Sequence, residues 1–226
     1  MLEKQLRIDE TSMVQFLEQL KSDVPHIEYD FKKHRIILKN DTYDEMGYVR
    51  LPLKYFLYDT FEIVNENAIV LYLTIESGSA AICVMKGEEN VFHTTFGAYM
   101  TRKKQGVSQI KYLNKKGKSR AGSRVRLAST LQFFENINTS LTELFEAFHI
   151  ERIALSCSPT LIPYLHKSKT FCPFAKKDWR LYKIPLHLPQ SNYTNLTEAI
   201  KKLSTPRLFY NEQYQSQLAK LVEGHQ

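Results

Sequence analysis

The strongest constraint in this 226-residue sequence is an uninterrupted apolar stretch, Ala68-Ile69-Val70-Leu71-Tyr72-Leu73-Thr74-Ile75. It has strand length and β-branched residues but no alternation with charge, as expected for a strand buried on both faces. Such a strand needs cover above and below, which excludes a small one-sided sheet. Ser77-Gly78-Ser79 then turns the chain, and Ala80–Met85 reads as a second strand. Gly87-Glu88-Glu89-Asn90 turns it again, into a third strand over Val91–Phe96. Three short strands in under thirty residues form a meander.

A long helix is expected beyond the loop Tyr99–Ser119, because Val125, Ala128, Leu131, Phe134, Ile137, Leu141, Leu144, Phe145 and Phe148 recur at threes and fours. Glu151–Cys157 reads as a strand, and Ser158-Pro159 as a helix start with serine as the cap. Trp179–Ile184 is a further strand. Asn195–Leu203 is a short helix with Leu196, Ala199, Ile200 and Leu203 inward. On the N-terminal side, Asp9 or Thr11 caps a helix through Lys21 with Val14, Phe16, Leu17 and Leu20 on one face. His26–Lys39 is extended, Asn40–Gly47 is a polar turn region, and Leu51–Phe61 fits strand or helix equally. After Pro206 the apolar residues Tyr210, Tyr214, Leu218, Leu221 and Val222 predict a docked helix. The expected fold is α/β (α+β layered), with a mixed β-sheet and helices packed on it. The expected division is residues 1–62 as an N-terminal extension, 63–205 as the principal domain and 206–226 as a helical tail.

Charge is distributed unevenly along this chain. Lys and Arg number 31 against 24 Asp and Glu, a net +7. Ten of the cations lie between Asn90 and Gln132, where no acidic residue occurs: Arg102, Lys103, Lys104, Lys111, Lys115, Lys116, Lys118, Arg120, Arg124 and Arg126. The remainder of the chain is therefore at −3. A focused field of this kind steers a polyanion, and an RNA or phosphate partner follows from it. Cations in the first turn of a helix oppose its dipole. Arg120, Arg124 and Arg126 accordingly read as serving something outside the protein.

Other chemistries find little footing in the sequence. The seven histidines show no paired metal-ligand spacing, and no phosphate-binding loop or nucleophile turn occurs. Lys116-Gly117-Lys118-Ser119 lacks the earlier glycine of a phosphate loop. Cys83, Cys157 and Cys172 are too few and too widely spaced for a disulfide framework and read as buried small apolar residues. No metal and no cofactor are implied. No apolar run approaches the roughly 20 residues that span a bilayer, and Met1–Asp9 carries mixed charge. A reduced, cytoplasmic protein without a membrane partner is the expectation.

One segment remains, Arg102-Lys103-Lys104-Gln105-Gly106-Val107-Ser108-Gln109, a basic loop carrying a glycine and a glutamine three residues apart. Before it stands Ser77-Gly78-Ser79-Ala80-Ala81-Ile82-Cys83-Val84 with Gly87-Glu88, and after it Ser119-Arg120-Ala121-Gly122-Ser123-Arg124-Val125-Arg126. In this order and spacing the segments resemble the VLRF (Vms-like release factor) family, related to the catalytic middle domain of eukaryotic and archaeal peptide-chain release factors. The resemblance runs from about Ala68 to Leu203. It implies a release-factor middle-domain, RNase H-like architecture. It aligns Gln109 with the catalytic glutamine and Gly106 with a glycine before it. It implies a peptidyl-tRNA hydrolase acting on stalled large ribosomal subunits, with peptidyl-tRNA and rRNA as partners. A non-catalytic ribosome- or tRNA-binding factor and a tRNA 3′-end nuclease are the alternatives. The paired glycines of the release-factor signature are replaced here by Val107-Ser108. A β-branched residue resists positive φ, so either Gly106 alone supplies the flexibility or catalysis is weakened.

Overall fold

The computed structural model of the chain describes residues 4–8, 13–58, 61–99 and 121–223. They form two compact units: Met1–Ala68, Lys86–Glu88 and Glu198–Gln226 in one, Ile69–Met85 and Glu89–Thr197 in the other. The first unit holds β1 (Lys4–Arg7), α1 (Met13–Asp23), β2 (His26–Asp30), β3 (Arg35–Lys39), β4 (Glu45–Arg50) and the short pair β5 (Phe56–Leu57) and β6 (Ile63–Asn65). The second holds β7 (Ile69–Glu76), β8 (Ser79–Lys86), β9 (Glu89–Gly97), α2 (Ala121–Ala147), β10 (Arg152–Cys157), α3 (Ile162–His166) and β11 (Leu181–Lys183). The boundary between the units falls within α4 (Tyr193–Leu203). The chain then adds β12 (Arg207–Tyr210) and α5 (Gln215–Glu223) to the first unit.

The second unit is built as the apolar run dictates. Its sheet has the order β11-β10-β7-β8-β9, with β7 buried in the middle. Two-residue turns at Ser77-Gly78 and Gly87-Glu88 join β7, β8 and β9 into hairpins. Gly78 and Gly87 take φ of 90° and 59°, a region that side chains resist. β10 then returns parallel to β7 in the register Ile153↔Leu71, and β11 lies parallel to β10. A meander followed by parallel strands is the RNase H-like strand order, and the α/β class with a mixed sheet holds.

Alternation along β7 gives one face to Leu71, Leu73 and Ile75, which pack with Ile82, Val84, Ile153 and the α2 residues Phe133, Phe134, Ile137, Leu141 and Leu144. Tyr72 and Thr74 face the other way and are also buried, beside Cys83 and Tyr182. On that face the Ser191 N–H donates to Glu76 Oε2 at 3.2 Å. Buried Asn138 binds α2 to the next segment, its Nδ2 donating to the carbonyls of Leu165 and Thr170 at 2.8 Å each.

The first unit is a five-stranded antiparallel sheet, β1-β12-β4-β3-β2. One face meets α1 and α5 through Met13, Phe16, Leu17, Leu20, Leu218 and Leu221 around Ile36, Leu38, Val49 and Leu208. Residues 207–210 thus pair with both β1 and β4, where the sequence suggested only a helix after Pro206.

Four expectations need correction. The helix expected at Ser158-Pro159 begins instead at Ile162, with a proline in its first turn. The Ser158 carbonyl accepts turn bonds from the Leu161 and Ile162 N–H groups, and Ser158 Oγ pairs with Thr160 Oγ1 rather than capping a helix. Val14 is exposed, since Met13, Phe16, Leu17 and Leu20 already fill the inner face of α1. Trp179 is 61% exposed and β11 starts only at Leu181. Val125, Ala128 and Leu131 of α2 lie in solvent, Val125 being 64% exposed.

The last correction has a simple geometric cause. Twenty-seven helical residues span about 40 Å at 1.5 Å each, whereas the nine residues of β9 reach about 30 Å. The helix outruns the sheet. Among the described side chains of α2, Thr130 is the first to be buried.

Candidate functional site

Gly106 and Gln109, with Arg102, Lys103, Lys104, Lys111, Lys115, Lys116, Lys118 and Arg120, lie outside the described residues. Arg124 and Arg126 stand on the first turns of α2. The structure does define the two ends of the basic segment. It leaves from β9, the edge strand of the mixed sheet, and re-enters the fold at the N-terminus of α2.

Both anchors are specific. On β9, the His93 ring stacks on Tyr193 with centroids 4.3 Å apart, and Asn90 Nδ2 donates to the Tyr193 hydroxyl at 2.8 Å. The Ala98 N–H donates to the Gly78 carbonyl at 2.9 Å, holding the exit of the strand on the first hairpin turn. Tyr99 is then exposed. At the other end, Val125, Leu127, Ala128 and Leu131 are exposed before the helix is gripped at Phe133 and Phe134. The landing helix is thus a stalk at its start and a core element at its end.

The remaining reactive groups do not converge on these anchors. Burial pushes the Cys83 and Cys172 thiols up to about 11 and the Cys157 thiol up to about 12, so all three are protonated at neutral pH. All three are free, Cys83 buried as expected and the other two half-buried. Burial and then Lys176 hold His166 below the usual imidazole range, while its ring meets Phe174 edge-on. Hydrogen bonds from Arg180 hold Asp178 below the usual carboxylate range. No helix among the described residues is long and apolar enough to cross a membrane.

The family profile of the Bacteroidetes VLRF1 release factors, bVLRF1, matches residues 70–211, well over half of the chain. The chain belongs to that family. The match begins within β7, takes in the whole basic segment, and ends one residue after β12. No curated protein matches the sequence. Among solved structures, the Vms1 mitochondrial localization core is 12% identical, with a TM-score of 0.46 and 89% of this chain covering 84% of that one. An archaeal translation termination factor, aRF1, is 14% identical, with a TM-score of 0.36 and coverage of 75% and 47%. Archaeoglobus fulgidus Pelota is 10% identical, with a TM-score of 0.30 and coverage of 88% and 61%. As a bVLRF1 member the chain is release-factor-like.

Proposed function

We propose that this bVLRF1 member is a peptidyl-tRNA hydrolase acting on stalled large ribosomal subunits, with Gln109 aiming the attacking water. The reading rests on one observation: the family match runs through the acid-free basic segment that carries Gly106 and Gln109. In the reaction, water adds to the ester carbonyl, the acyl–oxygen bond breaks, and the peptide acid and the tRNA 3′-hydroxyl leave. The ester is already activated, so the catalyst mainly supplies orientation and a hydrogen bond to the developing oxyanion. A neutral amide does this without a shifted pKa. The flanking cations, Arg102, Lys103, Lys104, Lys111, Lys115, Lys116, Lys118, Arg120, Arg124 and Arg126, neutralise rRNA and tRNA phosphates. The reaction needs no cofactor and belongs in the cytoplasm.

Val107-Ser108 ahead of Gln109 favours a second reading, a factor that binds the ribosome or tRNA without catalysis. Purified large subunits carrying labelled peptidyl-tRNA separate the two. Nascent chain released together with intact deacylated tRNA, lost in Gln109→Ala while co-sedimentation persists, supports the hydrolase. Binding without product supports the second reading, and a shortened tRNA indicates a nuclease.

A further inference from the structure

We propose that the outward face of the first unit's sheet binds the phosphate backbone of single-stranded RNA at its open edge, through Arg7 and Arg207, the outer members of a row of four arginines. None of these arginines belongs to the basic segment, and the inference stands whether or not Gln109 is catalytic.

The row follows from strand register. Arg35 on β3 lies opposite Arg50 on β4, Arg50 opposite Arg207 on β12, and Arg207 opposite Arg7 on β1. Residues in cross-strand register point to the same face. Their neighbours Ile36, Val49 and Leu208 fill the core on the other side. Four arginine side chains therefore stand side by side across the sheet, over three strand spacings or about 14 Å; Arg50 is buried, Arg35 and Arg207 are partly buried, and Arg7 at the edge is exposed. Only Asp30, opposite Arg35 on β2 and 3.4 Å from its Nε, supplies a carboxylate in the row.

A sheet shaped for stability alone would not be built this way, because like charges directly opposite repel. The neighbouring row shows how the cost is contained. Tyr48 and Phe209 pair across β4 and β12 with ring centroids 4.8 Å apart and 16° between planes. The Arg35 guanidinium lies 4.5 Å from the Tyr48 centroid, and that of Arg50 lies 5.6 Å from Phe209. Arg50 Nη2 donates to the Lys202 carbonyl at 2.8 Å, and Arg207 Nη1 to Gln5 Oε1 at 3.0 Å. The Nε of Arg207 is buried without a hydrogen-bond partner among the described residues. Exposed Lys201 and Lys202 add charge where the Lys202 backbone meets Arg50.

Charge complementarity calls for an anion, and the shape selects a linear one. A membrane surface would engage a broad patch with insertable apolar tips. Here the charge forms a line, closed at β2 by Asp30 and Glu28 and open at the sheet edge, where Arg7 is exposed. The rings between the guanidinium groups hold them in place instead of projecting as wedges. A polynucleotide backbone carries repeated phosphates at a pitch such a row can follow.

The test is binding of the full chain to a fluorescein-labelled U10 oligonucleotide across a salt series. It is run in the native sequence and in a Lys103→Gln, Lys104→Gln, Lys115→Gln, Lys116→Gln background that weakens the basic segment. Each lost phosphate contact lowers the slope of log K against log salt by about 0.7 for a single strand. Arg7→Gln with Arg207→Gln should therefore lower it by about 1.4 in both backgrounds, with roughly tenfold weaker binding at physiological salt. Exposed Arg7 alone, as Arg7→Gln, should lower it by about 0.7 and decides the matter if the double variant fails to fold. An unchanged slope in a variant that melts like the parent overturns the proposal. So does loss of sedimentation with phosphatidylserine vesicles, in the same variants, while RNA binding stays unchanged. Nascent-chain release is not read here, so failure of the row and failure of the hydrolase reading remain distinguishable.

Discussion

Ala128→Pro should uncouple the mounting of the basic segment from the stability of the fold. Proline at this position removes the N–H bonded four residues back and pushes against that carbonyl, so the helix breaks near residue 127 or restarts there. In an ordinary buried helix the cost is about 3 kcal/mol or more. Here the turns set free are those before Thr130. Their described side chains, Val125 and Leu127 at 64% and 37% exposure, give up little packing. Solvent-exposed helix stabilised by propensity alone contributes at most a few tenths of a kcal/mol per residue. The expected loss is below about 1 kcal/mol, a melting shift within about 3 °C for a chain of this size.

Phe134→Ala is the matched contrast, because Phe134 is buried in the core of the second unit beside Tyr164 and Phe133. Truncating a core phenylalanine costs about 3–5 kcal/mol, roughly 10 °C or more. If α2 is the stalk on which the segment is carried, Ala128→Pro should still lower nascent-chain release about hundredfold, the penalty of a misplaced reacting group. Differential scanning fluorimetry and the large-subunit release assay, run on both variants, read the two quantities. Melting lowered by more than about 8 °C in Ala128→Pro would show that the first turns are packed after all. Undiminished release with near-native melting would show that the stalk does not position the chemistry.

Three further outcomes follow from particular contacts. Asn138→Ala strands the buried carbonyl of Leu165 and the partly buried one of Thr170, while removing an Oδ1 that has no partner among the described residues. The net loss should be about 2 kcal/mol, read as a fall of about 4–8 °C in melting temperature. His166 holds its proton less tightly folded than unfolded, so its contribution is complete above about pH 6.5 and is lost as pH falls through the depressed folded value. His166→Gln should flatten the change in melting temperature between pH 7.5 and 5.5, a window above the range in which Asp178 titrates. Cys157, with its thiol pushed up to about 12, should react with iodoacetamide at pH 7.5 hundreds of times more slowly than a free cysteine; mass spectrometry of a timed quench measures this.

Legibility in the sequence tracked how local the cause was. The meander could be read because a doubly buried strand carries no charge and its turns need glycine at positive φ, both properties of consecutive residues. The α4 face was equally local: Leu196, Ala199, Ile200 and Leu203 are all buried as their spacing implies. The apolar stripe of α2 misled because periodicity reports a face but not what lies opposite it. Val125, Ala128 and Leu131 share that face with Phe134 yet fall past the end of the sheet. Ser158-Pro159 carried the letters of a helix start, but the serine's carbonyl and hydroxyl were taken by the tight turn through Leu161.

The arginine row marks where such reading stops. Arg7, Arg35, Arg50 and Arg207 are up to two hundred residues apart in the sequence, and counting charge by segment assigns none of them to a cluster. The remainder of the chain even sums to −3 once the basic segment is set aside, which points away from a second anion surface. Only the pairing of β1, β12, β4 and β3 brings the four side chains into one line. Gly47 takes part in that pairing: a Cβ there would collide with the Phe209 carbonyl on the neighbouring strand. A shift of one residue between β4 and β12 would turn Phe209 toward the core and Leu208 outward. Register therefore fixes the hydrophobic core and the charged row together. A substitution such as Gly47→Val should damage both, lowering melting temperature and RNA affinity in step, whereas Arg7→Gln should lower affinity alone.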